Sequence, residues 1–152
     1  MRRILFAIAP FVATTLAAQQ PALVGMWEIS YSAGARIENG FATEVRGTGV
    51  LMVTSQGDSL MATLVPNAIG DTPARPPAHM AAKTVKSGPV TFIAHSKAKL
   101  NFNGVEEEKT ATSTWVLEAR GDSLTGTVTR SIEGMEDSAQ PPKPVSGTRK
   151  AS

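Results

Sequence analysis

The tripeptide Gly-Asp-Ser occurs twice in this chain, at residues 57–59 and 121–123, and each copy lies between two runs of alternating residues. In residues 53–64 and 117–128 apolar and polar side chains alternate with a period of two, which is typical of a half-buried β-strand. Gly followed by Asp is a frequent connection between antiparallel strands, because Gly takes the positive φ that tight hairpin turns require. Each copy therefore predicts a β-hairpin, and the pair predicts an antiparallel sheet.

The same alternation recurs along most of the chain and predicts eight or nine strands. Besides the strands that flank the two turns, it runs through residues 23–33, 43–55, 82–86, 90–103, 109–120 and 145–151. Two proline-containing stretches, residues 66–80 and 133–144, are predicted to be loops because proline donates no backbone hydrogen bond. Sequential strands form an antiparallel up-and-down meander, and closing a meander into a barrel removes its exposed edges. We therefore predict an all-β barrel.

Residues 1–18 are typical of an export signal. Arg2 and Arg3 precede an uncharged, mostly apolar stretch that ends in small residues. A retained membrane anchor is the alternative, but a spanning helix needs about 20 apolar residues, and this stretch is shorter and contains Pro10. We expect a signal peptide at 1–18, one barrel domain at 19–152 with no membrane span after cleavage, and a periplasmic or secreted location in a bacterium.

The charge balance argues against a nucleic-acid partner. Two of the 15 basic residues are Arg2 and Arg3, and all 13 acidic residues follow the leader, so the mature chain carries 13 of each. Binding to nucleic acid requires a concentrated basic surface, which a chain of zero net charge does not indicate. The chain also has no Cys. An exported domain without disulfides depends on its core for stability, and this length suffices for one core.

Two short motifs lie in the first and last strands of the predicted barrel: Gly-Met-Trp at residues 25–27 and Gly-Thr-Arg at residues 147–149. Together they resemble the lipocalin or calycin superfamily, in which a Gly-x-Trp opens the barrel. The resemblance implies that Arg149 packs across Trp27 at the closed barrel end. The chain lacks the usual lipocalin disulfide and flanking helix, and it is more similar to small secreted bacterial lipocalin-like proteins. The alternative is that Trp27 is a core residue and Arg149 a surface charge.

The letters Gly-Asp-Ser-Leu also begin a motif of a family of serine esterases. That chemistry needs a nucleophilic Ser at the end of a strand that leads into a helix, with a His base preceded by an Asp. Ser59 and Ser123 instead precede strands, and neither His79 nor His95 has an Asp three residues before it. We therefore interpret both copies as turns and expect no catalytic residues and no enzyme activity.

No residue pattern indicates a metal or cofactor. His95 lies on the same strand face as Lys97 and Lys99, where two ammonium groups disfavour a bound cation. The acidic run at residues 106–108 is predicted to be the solvated start of a strand. The chain has no glycine loop that could hold a phosphate. We expect no metal and no cofactor.

The predicted inner face alternates between small and aromatic residues. Small residues either let a narrow barrel fill its own interior or leave room for one apolar ligand, and the sequence leaves both open. We expect a small apolar ligand, with an interior lining formed by the aromatic residues of that face. These residues are Trp27, Tyr31, Phe92, Phe102 and Trp115.

The opposite face of the first three strands is unusually apolar for a surface. Monomeric proteins rarely expose contiguous apolar patches, and Met side chains suit adaptable contacts. The alternative to an apolar ligand is therefore docking through this face, either as an accessory subunit of an envelope or membrane protein assembly or as a homo-oligomer. A shifted strand register, or a loop that covers the patch, would explain the pattern without a partner. The predicted partner-binding residues are Val24, Met26, Val50, Met52 and Met61.

Overall fold

Eight antiparallel strands close into a barrel in the computed structural model, which describes residues 22–83, 88–135 and 140–151. The all-β prediction is therefore confirmed, with the lower of the two predicted strand counts. The predicted signal peptide at residues 1–18 lies outside the described residues. The strands are β1 (Gly25–Glu38), β2 (Phe41–Gln56), β3 (Ser59–Pro66), β4 (Ala78–Lys83), β5 (Val90–Phe102), β6 (Val105–Arg120), β7 (Ser123–Ile132) and β8 (Lys143–Arg149).

Each strand pairs with the next along the chain, and β8 closes the barrel by pairing with β1. Trp27 of β1 lies opposite Arg149 of β8, and Ile29 lies opposite Gly147. Every strand has two neighbours, and the pairing is thinnest between β4 and β5, where Ala81 lies opposite Ile93. None of the described segments forms a helix long and apolar enough to cross a membrane.

The turns divide the barrel into two ends. Both Gly-Asp turns lie at one end, which we call the floor, with Gly57 and Gly121 at φ +58° and +60°. A positive φ at the first turn residue is the requirement of a type II′ hairpin turn. The opposite end, the mouth, carries two Asn-Gly turns, at 39–40 and 103–104, and both proline-containing loops.

Three strand boundaries differ from those predicted. β4 begins at Ala78, directly after Pro77, and not at residue 82. From Ala78 onward the chain contains no proline and pairs with β3, with Ala78 opposite Leu64. β6 begins at Val105, so the acidic run 106–108 lies within this strand, and two of its Glu side chains form ion pairs with Lys side chains of β5. β1 continues past its predicted end to Glu38 through a bulge between Ser32 and Gly34.

The core fills the half of the barrel nearest the floor. Its largest wholly buried side chains are Trp27, Phe92, Leu51, Leu60, Met80, Leu117 and Leu124. Small residues of the inner wall make room for large ones directly opposite. Gly47 faces Tyr31, and a Cβ on Gly47 would lie 3.0 Å from the Tyr31 ring. Gly126 faces Leu117 in the same way, so these small residues of the inner wall are matched by large neighbours.

Candidate functional site

A packed cluster around Arg149 and Trp27 closes the floor of the barrel. The Cζ atom of Arg149 lies 4.2 Å from the centroid of the Trp27 ring, a cation–π contact. Trp27 Nε1 donates a hydrogen bond to the Leu23 carbonyl at 2.9 Å. Arg149 donates to the carbonyls of Val24 and Ala22 at 3.0 and 2.9 Å. The guanidinium therefore ties the segment before β1 across the base of the barrel.

Gly25 permits this arrangement by lacking a side chain. Its φ is +136°, a conformation that L side chains rarely adopt, and an added Cβ would lie 2.6 Å from Arg149 Nη1. Asp122, in the second Gly-Asp turn, accepts an ion-pair contact from Arg149 Nε at 3.4 Å. The described part of the floor is thus built from the first strand, the last strand and the turn between β6 and β7.

The five aromatic residues predicted to line the interior lie in different environments. Trp27 and Phe92 are 0% exposed and wholly surrounded by the core, so they present no surface to a ligand in this conformation. Trp115 is buried, and its ring centroid lies 5.5 Å from that of Tyr31. Tyr31 alone among the described side chains of this set lines a cavity. The side chain of Phe102 lies outside what the structure describes.

Two adjoining cavities occupy the mouth. One has a volume of about 330 Å³ and is lined by Gly34, Ala111, Arg130, Ser131, Ile132, Met135 and Gln140. The other has a volume of about 270 Å³, and its lining includes Tyr31, Val45, Ile69, Pro73 and Arg75. The two share Gly34 and Arg130. Their walls come from the long strands β1, β2, β6 and β7 and from both proline-containing loops, which the sequence analysis treated only as connections.

Arg130 is the functional candidate that the sequence analysis missed. It lies on β7 and follows Leu124, Gly126 and Val128 in the alternation of the inner face, with Ser113 of β6 directly opposite. Extending the period-two pattern by one step beyond Val128 would have placed it inward. The predicted strand was read only to Val128, and so this Arg was not considered.

The electrostatics of the mouth follow from burying a cation there. Burial, and then the nearby Arg75, lower the pKa of Arg130 below its ordinary value, while Tyr31 opposes that shift. Burial raises the pKa of Tyr31 above 10.0, against the lowering effect of Arg130 and Arg75. Among the described residues, none forms an ion pair or hydrogen bond with the guanidinium of Arg130 or Arg75. The described part of the mouth therefore combines an apolar wall with a protonated phenol and two guanidinium groups that no described residue pairs.

The predicted partner-binding residues form most of an outer apolar face. Met26 lies directly opposite Met52, and their exposed fractions are 37% and 43%. Val50 and Met61, on β2 and β3, are partly exposed. Val24 differs from the prediction: it packs partly buried against the core, because it precedes β1 and so does not follow the alternation of that strand.

Val65, which the alternation also places on this outer face, and Ile93 extend the face beyond the five predicted partner-binding residues. Val65 pairs with Val50 and is 45% exposed. Ile93 of β5 is also 45% exposed. It pairs with Ala81 of β4, which in turn pairs with Met61 of β3. We call Met26, Val50, Met52, Met61, Val65 and Ile93 the outer Met face.

The remaining polar candidates lie apart from the mouth. Ser59 and Ser123 are the first residues of β3 and β7, at the floor. His79 Nδ1 lies 3.1 Å from the Thr63 hydroxyl, and His95 Nδ1 makes the same contact with Thr112. Each His is thus engaged with a Thr of the neighbouring strand. Within residues 22–83, 88–135 and 140–151, no three His, Asp or Glu side chains come together as metal ligands.

Comparison with known proteins supports the fold and goes no further. No protein-family model matches the chain, and no curated protein matches it. Among solved structures, Rv2717c from Mycobacterium tuberculosis aligns with a TM-score of 0.51 at 11% identity, over 86% of this chain and 94% of that one. The monomer form of the M. tuberculosis PknI sensor domain aligns with a TM-score of 0.47 at 13% identity, over 86% and 88%. The first likeness shows that the two chains share a barrel fold.

Proposed function

We propose that this protein is a non-catalytic barrel that binds one small, largely apolar molecule in its mouth. The observation that carries the proposal is the unequal filling of the interior. The half nearest the floor is packed by wholly buried side chains, whereas the mouth holds adjoining cavities of about 330 and 270 Å³. Ligand pockets in proteins commonly begin at about 300 Å³.

The lining of the mouth suits a molecule with an apolar body. Tyr31 presents an aromatic ring that Trp115 supports from the packed side. Ile132 and Met135 provide aliphatic and thioether surface in the adjoining cavity. Met side chains adjust to ligands of different shape, since they are unbranched and polarisable. The proposal also places the barrel in the periplasm or outside the cell, on the strength of the leader at residues 1–18.

A cavity-filling variant tests the proposal. Titration of the protein with the neutral fluorescent probe N-phenyl-1-naphthylamine should show saturable binding at a single site. Ala111→Phe places a ring in the larger cavity, and we expect it to weaken binding by about tenfold, the effect of losing roughly 1.4 kcal/mol of contact. The matched control is Thr112→Phe, on the adjacent residue and the opposite strand face. Non-saturable binding, or equal affinities in both variants, would contradict the proposal.

A second candidate function is docking through the outer Met face, as an accessory subunit of an envelope or membrane protein assembly or as a homo-oligomer. The observation in its favour is the exposure of Met26, Met52 and Val65 at 37%, 43% and 45% on adjacent strands. Substitution of Met26 and Met52 by Lys should then reduce the sedimentation coefficient of the native assembly and leave the melting temperature unchanged. Thr54→Lys, on the same face of β2, is the control. A sedimentation profile that Lys at Met26 and Met52 does not alter counts against docking.

A further inference from the structure

The described lining of the mouth carries positive charge that no described carboxylate neutralises. The described lining of the two cavities contains Arg75 and Arg130 and contains neither Asp nor Glu. The carboxylates of the described residues that form ion pairs do so with other cations, such as Glu44 with Arg46 and Lys143. A half-buried guanidinium without a counter-ion is costly, because it loses hydration without gaining a partner.

The position of Arg130 directs this charge toward a bound molecule. Arg130 lines both cavities, and Arg75 enters the smaller one from the loop between β3 and β4. Tyr31 lines the same cavity, and its phenol stays protonated because burial raises its pKa. Its hydroxyl is therefore available as a hydrogen-bond donor. Guanidinium groups present a planar set of donors that matches a carboxylate, and a phenol can donate to the same oxygen.

We infer that the molecule bound in the mouth is an amphiphilic carboxylate, whose acid group is held by Arg130 with Arg75 and the Tyr31 hydroxyl, and whose apolar part occupies the adjoining cavity. This inference rests on the proposed function, since it names the chemical class of the ligand for the same site. Arg130 binds the acid group from the barrel wall. Arg75 binds it from the loop, which draws that loop toward the ligand.

The test compares an acid with its methyl ester, which has the same alkyl chain and no charge. Decanoate and methyl decanoate are each used to displace N-phenyl-1-naphthylamine from the full chain. We expect decanoate to displace the probe at a concentration lower by about tenfold or more, the effect typical of a hydrogen bond to a charged group. In Arg130→Met this preference for the acid over the ester should disappear. Arg130→Lys, which keeps the charge, should retain part of the preference.

Two further variants keep the inference testable if Arg130→Met fails to fold. Arg75→Met changes an exposed loop residue and should also reduce the preference for decanoate. Arg46→Met, on the solvent face of β2, should not. Equal displacement by acid and ester in the unmodified protein overturns the inference and leaves the proposed function standing. Failure of the probe and of both ligands to bind overturns the two together.

Discussion

At the scale of single residues, the absence of a side chain at Gly25 is what allows Arg149 to reach the floor. The guanidinium contacts the Trp27 ring and donates to the carbonyls of Val24, Ala22 and Gly121, and its Nη1 atom lies beside the Gly25 backbone. A cation–π contact of this kind is worth about 0.5–1 kcal/mol, and each hydrogen bond from a charged donor about as much again or more. The residues before β1 therefore owe their position to a side chain from β8.

Replacing Gly25 by Ala should destabilise the protein for two separable reasons. Ala is strained at φ +136°, and its Cβ would meet Arg149 Nη1 at 2.6 Å. Gly34→Ala is the matched control, since Gly34 has φ +131° and no atom within 4 Å of an added Cβ. We expect each substitution to cost about 1 kcal/mol from backbone strain, with Gly25→Ala costing more. When Arg149 is also changed to Ala, the additional loss of stability caused by Gly25→Ala should vanish. Urea unfolding of the unmodified protein, the three single variants and the double variant measures these losses. An additional loss that persists in the double variant would show that Arg149 is not its source.

The single tyrosine of the chain allows its ionisation to be followed without interference. Burial raises the pKa of Tyr31, so the tyrosinate absorbance should appear with a midpoint above pH 10.0. The folded pKa lies above the unfolded one, and the associated stability is therefore present below pH 10.0 and is lost as the pH rises through the folded value.

Arg130 opposes this shift, so Arg130→Met should raise the midpoint for Tyr31 further. The measurement is spectrophotometric titration of both proteins, with urea unfolding at pH values on either side of the transition. A Tyr31 midpoint at or below 10.0 in the unmodified protein, or a lower one in the variant, would contradict the environment described for the mouth.

The sequence predicts the floor of the barrel better than the mouth, because the residues at the two ends belong to different kinds of pattern. The motifs at 25–27 and 147–149 single out Trp27 and Arg149, and the structure has these side chains in contact. Arg130 shows no motif of its own and is distinguished only by the phase of its strand. Arg75 lies in a loop, where no periodicity states which way a side chain points. Sequence reasoning therefore identified the floor and missed the charged part of the mouth.

At the scale of strands and turns, a ladder of opposite charges joins the outer surfaces of β5 and β6. Lys97 Nζ lies 3.3 Å from Glu108, and Lys99 Nζ lies 3.1 Å from Glu106. All four side chains are more than half exposed, so each ion pair contributes little by itself. The ladder acts on register, because like charges on adjacent strands are unfavourable and a slipped register would change every pair.

Reversing one side of this ladder should destabilise the barrel in a salt-dependent way. Lys97 and Lys99 both changed to Glu would face the acidic run of β6, and we expect a loss of about 1 kcal/mol that shrinks at high ionic strength. Changing Glu106 and Glu108 to Lys in the same protein restores opposite charges and should recover most of the lost stability. The midpoints of urea unfolding at low and high salt measure the loss. A loss of stability that high salt does not reduce would indicate altered packing and not charge repulsion.

The sequence predicts the strands that have one buried face. It does not predict the ends of strands whose two faces are both solvent-exposed or carry only small side chains. Alternation in residues 43–55 and 90–103 corresponds to β2 and β5 within one or two residues at their ends. The start of β6 is polar at three successive positions, so no period marks it, and pairing with β5 is what makes it a strand. β4 is short and rich in Ala, and its position depends on the register of β3.

At the scale of the whole molecule, the barrel is tightly packed at the floor and loosely packed at the mouth. Leu117→Ala removes a 0% exposed side chain of the core, and we expect a loss of about 2–5 kcal/mol. Ile132→Ala, on the same sheet but lining a cavity, should cost clearly less, because its surroundings already contain unfilled space. Urea unfolding at constant m-value measures both. Equal losses would indicate that the mouth is as well packed as the floor.

Both ends of the described chain leave the barrel at the floor. Arg149 Nη2 donates to the Ala22 carbonyl at 2.9 Å, and the Lys150 amide donates to the Met26 carbonyl at 2.8 Å. A linker attached at residue 22 or residue 151, whether to a bead, a sensor chip or a fused protein, therefore leaves the barrel at the floor, on the side opposite the cavities. A barrel that is cut to these residues and immobilised in this way should keep its opening toward the flowing sample. A short peptide could join residues 22 and 151 for circular permutation without crossing that opening.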